Sequence, residues 1–138
     1  MKIQPYLMFN GNCREAFEFY HGVLGGKIEA MMTHRGTPVE EHVPEEWKDK
    51  IMHACLVVGD QLLMASDSPP EYQKPSGGFS VSLAIDTPDE AERVFNGLAD
   101  GGTVTMPLEK TFWADRFGML IDRFGTPWMI NHAGSAQV

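Results

Sequence analysis

The sequence predicts an α+β protein built from two successive βαβββ modules whose mixed sheets curve. Three observations carry that prediction. A strand–helix–strand order near the start of the chain begins again after residue 78. Two helix-capping signals, Asn12 and Thr87, stand 75 positions apart, and Tyr20-x-Gly22 and Phe95-x-Gly97 keep that offset. Each helical pattern also ends at a Gly-Gly pair, Gly25-Gly26 and Gly101-Gly102, where the chain needs backbone freedom to turn back. Internal duplication explains the repeat economically. With 138 residues the chain is long enough for one compact domain. The expected layout is a single domain over 1–138, with module 1 at about 1–67, a linker at about 68–77, module 2 at about 78–133 and a tail at 134–138.

In the first module, Ile3 to Phe9 reads as a strand with Tyr6 and Met8 on one face and Leu7 and Phe9 on the other. Asn10-Gly11-Asn12 breaks it, and Asn12 with Glu15 forms a capping-box pattern for the helix that follows. Ala16, Phe17, Tyr20, Val23 and Leu24 are spaced for one buried stripe on that helix. Lys27 to Thr33 reads as the next strand. His34 to Lys50 is an acidic surface excursion broken by Pro38 and Pro44, with a short helix expected near Glu45 to Lys50 and Trp47 as its anchor. Ile51 to Val58 and Gln61 to Ala65 form a hairpin around Gly59-Asp60. Ser66 to Gly78 is rich in Pro, Ser and Gly and reads as the connection.

The second module opens with a strand at Phe79 to Ile85. Thr87 caps a helix, with Pro88 at its first position and Glu90 completing the box. Ala91, Val94, Phe95 and Leu98 fall at i, i+3, i+4 and i+7. Thr103 to Met106 is a strand. In Thr111 to Asn131, Phe117, Met119 and Ile121 alternate on one side, Asp122-Arg123-Phe124-Gly125 turns, and Trp128 to Ile130 returns.

The charge pattern restricts the partners. Nineteen acidic against eleven basic residues give a net charge of −8, which repels phosphate backbones and anionic membrane surfaces. No run approaches the ~20 apolar residues of a membrane span, and no signal-peptide pattern opens the chain. Cys13 and Cys55 lack zinc-type spacing, so two reduced thiols in a cytoplasmic protein are expected. No Ser-His-Asp arrangement, phosphate loop or basic aromatic strip is present.

Specific segments resemble a known family. They include Pro5-Tyr6-Leu7-Met8-Phe9-Asn10-Gly11, Ala16-Phe17-Glu18-Phe19-Tyr20, and His53-Ala54-x-Leu56 leading to Gly59-Asp60. Thr111-Phe112-Trp113-Ala114-Asp115-Arg116-Phe117-Gly118 and Asp122-Arg123-Phe124-Gly125-x-Pro127-Trp128 complete the set. Together they resemble the PhnB-like branch of the glyoxalase and vicinal-oxygen-chelate superfamily, over about Ile3 to Asn131. The resemblance implies the glyoxalase/bleomycin-resistance-like fold, often completed as a homodimer. Some PhnB-like sequences carry a ubiquinone-methyltransferase label, yet nothing here resembles a glycine-rich methyl-donor loop.

In metal-dependent relatives, four inward His or Glu side chains hold a divalent ion as a Lewis acid. The resemblance puts those positions near Pro5, Cys55, Ser80 and Met129, a set poorly suited to a hard ion. The implied function is therefore binding of a small molecule in a curved-sheet pocket, with no cofactor, no nucleic-acid partner and no membrane partner. The candidate lining residues are His53, Cys55, Trp113, Phe117 and Tyr6. His53 and Cys55 lie two apart on one strand and so share a face. His53 has the chemistry of a base or a lone ligand, against the plainer role of a polar residue bonded in the sheet. Cys55 reads better as an inert buried thiol than as a nucleophile. Trp128 is a further aromatic that could line such a pocket, and Asp115-Arg116 reads as an orienting pair or a structural ion pair. His34 and His42 read as members of a solvated charge run. Two alternatives stand beside this reading: a metal-dependent lyase, isomerase or dioxygenase with displaced ligands, and a structural or regulatory homodimer. Whether the chain catalyses any reaction is left open by its residues.

Overall fold

The structure is a computed structural model and describes residues 1–135. The chain divides into two units, Met1–Lys74 and Pro75–Val138. The expected tail, 134–138, falls outside the described residues beyond Ser135.

The first unit runs β1 (Tyr6–Phe9), α1 (Cys13–Leu24), β2 (Lys27–Thr33), β3 (Ile51–Val58) and β4 (Gln61–Asp67). Its sheet has the order β1-β4-β3-β2, with β1 parallel to β4 and the other pairs antiparallel. The second unit runs β5 (Val81–Ala84), α2 (Pro88–Ala99), β6 (Thr103–Glu109), β7 (Arg116–Ile121) and β8 (Pro127–His132). Its order, β5-β8-β7-β6 with β5 parallel to β8, repeats the first unit's topology strand for strand. Each unit is thus an open four-stranded mixed sheet with one helix, in the glyoxalase/bleomycin-resistance-like fold. Register shifts between β2 and β3 and between β6 and β7 mark bulges, which increase local twist.

One face of each sheet takes a helix. In the first unit Cys13, Ala16, Phe17 and Tyr20 of α1 are buried with Leu7, Phe9, Ala54, Leu56, Leu63 and Ala65. Phe17 and Tyr20 are sealed from solvent, and burying an aromatic ring of this size contributes about 1.5–3 kcal/mol. In the second, Ala91, Val94, Phe95 and Leu98 are buried with Leu120, Trp128 and Ile130. Gly118 permits this approach: a Cβ there would lie 2.7 Å from Phe95 Cε2. Gly26 and Gly102 serve one purpose in the two units, because a Cβ at either would strike the backbone carbonyl of the next strand, at Val57 and Ile121.

Several expectations need correction. Asn12 makes no side-chain cap. The start of α1 is held by Asp67, whose Oδ1 accepts the N–H groups of Gly11 (2.9 Å) and Cys13 (3.0 Å). Thr87 Oγ1 does accept from Glu90 N–H at 3.2 Å, but the Glu90 carboxylate holds Arg93 and so does not return to complete a box. Ser66 and Asp67 belong to β4, so the connection starts later than its composition suggests. Segment 34–50 contains two short 3₁₀ turns, Glu40–His42 and Glu45–Trp47, in place of one helix. Trp47 is buried there, as an anchor should be. His34 is buried as well and bonds through Nδ1 to the Lys50 carbonyl at 3.0 Å, so it does not belong to a solvated run; His42 is exposed.

Candidate functional site

The strand alternation that buries one face of each sheet under its helix directs the other residues to the opposite face. In the first unit Cys55 pairs with Met64 and Ala30, and Met64 pairs with Tyr6. In the next row His53 pairs with Met32, and Met8 pairs with Ser66. These residues line the helix-distal face. Tyr6 and His53 are joined: the Tyr6 hydroxyl lies 3.2 Å from His53 Nδ1, and their rings stack at 5.8 Å between centroids. His53 Nε2 has no protein partner among the described residues. The Tyr6–His53 pair therefore places a polar edge on a bed of Met8, Met32 and Met64, whose flexible thioethers adapt to irregular shapes.

Cys55 shares this face but not the chemistry of a nucleophile. Burial pushes its thiol up from the ordinary range, and Glu29 adds to that. A neutral thiol attacks poorly. Cys13 lies on α1, and burial together with Asp67 pushes its thiol up to about 12. Both cysteines are free.

In the second unit Phe117 pairs with Asn131, and Met119 pairs with Met129 and Met106. All lie on the face away from α2. Trp113 precedes β7, in a turn where Thr111 Oγ1 accepts the N–H groups of Trp113 (3.3 Å) and Ala114 (3.2 Å). It meets Phe117 edge-on at 5.2 Å and Phe112 at 4.8 Å. Each unit thus brings its own candidates together, Tyr6, His53 and Cys55 in the first, Trp113 and Phe117 in the second.

Trp128 does not line such a face. It is fully buried on the α2 side, and its Nε1–H donates to Asp122 Oδ2 at 2.8 Å. Asp122 Oδ1 also accepts from Phe124 and Thr126 N–H, which fixes the hairpin turn. Nor do Asp115 and Arg116 pair through their side chains. The Asp115 carboxylate accepts the Ser135 N–H at 3.0 Å, and this bond lowers its pKa. Arg116 donates to the Asp115 main-chain carbonyl at 2.8 Å and stands 3.7 Å from Glu92.

The sequence reading passes over Asn131. Its signal was the alternation in Trp128-Met129-Ile130-Asn131, which puts a carboxamide on the same face as Met129 and opposite Phe117.

The superfamily's divalent ion can be tested against the donors. Pro5 and Ser80 precede β1 and β5, while Cys55 and Met129 sit within β3 and β8. Proline offers no side-chain donor, and a neutral hydroxyl, a thioether and a protonated thiol do not make a set for a hard ion. Among the described residues no group of three or more His, Cys, Asp and Glu side chains is placed to hold a metal. The residues at these positions do not fit the ion.

Comparison with known proteins is consistent across methods. A family model described as 3-demethylubiquinone-9 3-methyltransferase matches residues 1–131. Protein YjdN of Escherichia coli is 34% identical over 139 aligned positions, covering 95% of each chain. The crystal structure of protein PA1353 from Pseudomonas aeruginosa is 56% identical, covers 96% of this chain and 97% of its own, and superposes with a TM-score of 0.88. A PhnB protein from Bacillus cereus is 26% identical, covers 96% of this chain and all of its own, and gives 0.79.

Proposed function

The chain belongs to the 3-demethylubiquinone-9 3-methyltransferase family, in the PhnB-like branch of the vicinal-oxygen-chelate superfamily, and we propose that it binds a small molecule without the superfamily's metal. One observation carries this reading. The helix-distal faces are lined by methionines and aromatic rings with few polar groups, of which the bonded Tyr6–His53 pair is the clearest. Ligand sites of that make-up are largely apolar, with a few placed polar groups fixing orientation. The family description names methyl transfer, and no methyl-donor loop supports carrying that activity to this chain.

The protein acts, in this proposal, as a homodimer in the cytoplasm. Each sheet ends on strands without a further neighbour among the described residues, β1 and β2 in one and β5 and β6 in the other. Such edges favour association. Two free buried thiols suit a reducing compartment. Among the described residues no helix is long and apolar enough to cross a membrane.

The test begins with the purified protein incubated with Zn²⁺, Ni²⁺, Mn²⁺ or Fe²⁺, desalted and assayed for metal. The expected result is no stoichiometric retention, followed by melting shifts with small apolar molecules that diminish in His53→Ala. About one retained ion per chain, lost in His53→Ala, would overturn the non-metal reading and favour a metal-dependent enzyme. Sedimentation should give twice the 15.4 kDa chain mass.

A further inference from the structure

We propose that Asn131 is the polar anchor of a subsite on the helix-distal face of the second sheet, and that the subsite takes an uncharged, flat molecule with adjacent N–H and C=O groups, the edge of a lactam. The proposal rests on the small-molecule reading above and gives it a ligand class.

Along β8 the neighbours of Asn131, Ile130 and His132, are buried on the helix side. The carboxamide therefore belongs to the other face, directly across from Phe117 and beside Ala84 of β5. Its Oδ1 is sealed from solvent and accepts no hydrogen bond among the described residues. The chain rarely tolerates this elsewhere. Buried Asp67, Asp122, His34 and His132 are all bonded, and Trp47 Nε1 is the one other buried side-chain atom in this condition among the described residues. A buried acceptor without a donor is unfavourable in the free protein, so an arriving N–H is rewarded there.

The surroundings select the ligand. A carboxamide offers one acceptor and an N–H donor side by side, which complements a cis-amide edge with two parallel hydrogen bonds. Phe117 supplies an aromatic surface across the strand, with Trp113 packed edge-on against it. Met119 and Met129 form the next pair along, and Ser82 lies beside Met129. None of these residues is charged. The charged group in the Asn131 row is Glu109, on the outermost strand beyond Phe117, which disfavours an anion.

The experiment titrates the whole protein with quinolin-2(1H)-one and follows tryptophan fluorescence and melting temperature. Trp47 and Trp128 are buried and Trp113 is half-buried beside Phe117, so Trp113 is the reporter. The comparison ligands are the N-methyl lactam, which lacks the N–H, and quinoline-2-carboxylate, which is charged. The expected result is saturable binding of the lactam, at least ten-fold weaker for both comparison ligands and for Asn131→Leu. The Asn131→Leu variant should melt no lower than the parent, because an unbonded polar group has been replaced by an apolar one. Should Asn131→Leu fail to fold, Asn131→Asp keeps the size and is expected to lose lactam binding through its charge. Equal affinity of parent and variant, equal affinity for lactam and N-methyl lactam, or no saturation by the lactam would each overturn the proposal. Melting shifts with other molecules that ignore Asn131→Leu would refute the subsite and leave the small-molecule reading standing.

Discussion

The carboxylate of Asp67 accepts N–H groups from Gly11, Cys13 and Ile51, the last at 2.8 Å to Oδ2, so its removal strands three donors at once. Asp67→Ala is expected to lower the unfolding free energy by roughly 3–5 kcal/mol in urea denaturation. Asp67→Asn should cost less, since the amide oxygen can still accept while the amide nitrogen faces a backbone N–H. Little of this was legible in the chain. Ser66-Asp67-Ser68-Pro69 has the composition of a turn, and Asn12, adjacent to the helix, carries the stronger local capping signal. A partner more than fifty residues away supplied the bond that local preference assigned to a neighbour. Cys13 gives a second prediction at this scale. Its thiol stays protonated in the fold up to about 12, whereas its ordinary value is 9.0. Below pH 9 both folded and unfolded chains hold that proton and the stability is complete. As pH rises from 9 toward 12 the unfolded chain alone releases it, so stability declines. The decline, measured by denaturation at each pH, should be smaller in Cys13→Ala.

Both helices are legible from their apolar spacing and the glycines that end them, yet their first turns are held differently. Thr87→Ala is expected to cost about 1 kcal/mol, because the hydroxyl accepts the Glu90 N–H. Asn12→Ala is expected to change stability by less than about 0.5 kcal/mol, because its side chain bonds nothing at the cap. Parallel melting curves of the two variants check the contrast. The strands divide in the same way. β2 and β3 follow their apolar pattern, and their limits at Lys27–Thr33 and Ile51–Val58 are those the sequence suggests. β1 and β5 are shorter than their apolar runs because both are outermost strands that pair over four residues. β6 is longer, continuing through Pro107, which an outermost strand accepts where no ladder N–H is needed. Alternation was enough to place Tyr6 with Met8, and Phe117 with Met119. It could not show that Tyr6 bonds His53, or that Asn131 Oδ1 bonds nothing, since both depend on how neighbouring strands are set in register.

At the scale of the molecule, two units of one topology satisfy the same backbone constraints with different side chains. Gly26 and Gly102 do the same work, whereas the row of His53 and Met8 in one unit is matched in the other by Phe117, Asn131 and Ala84. Repeated architecture is therefore readable from glycine spacing, while the chemistry each face offers is specific to its own unit. The bonds to Asp67 also set an order of events in folding. The opening turn of α1 cannot be completed until β4, formed more than forty residues later, delivers its last residue, so the N-terminus of that helix should be among the late structures to form. In native-state hydrogen exchange the amides of Gly11, Cys13 and Ile51 are then expected to open as one group, and Asp67→Asn should speed all three together while leaving the amides of α2 unchanged. Independent exchange of the three would show that the turn forms on its own. The carboxylate is thus a latch closed last, and the first place from which the first unit would come apart.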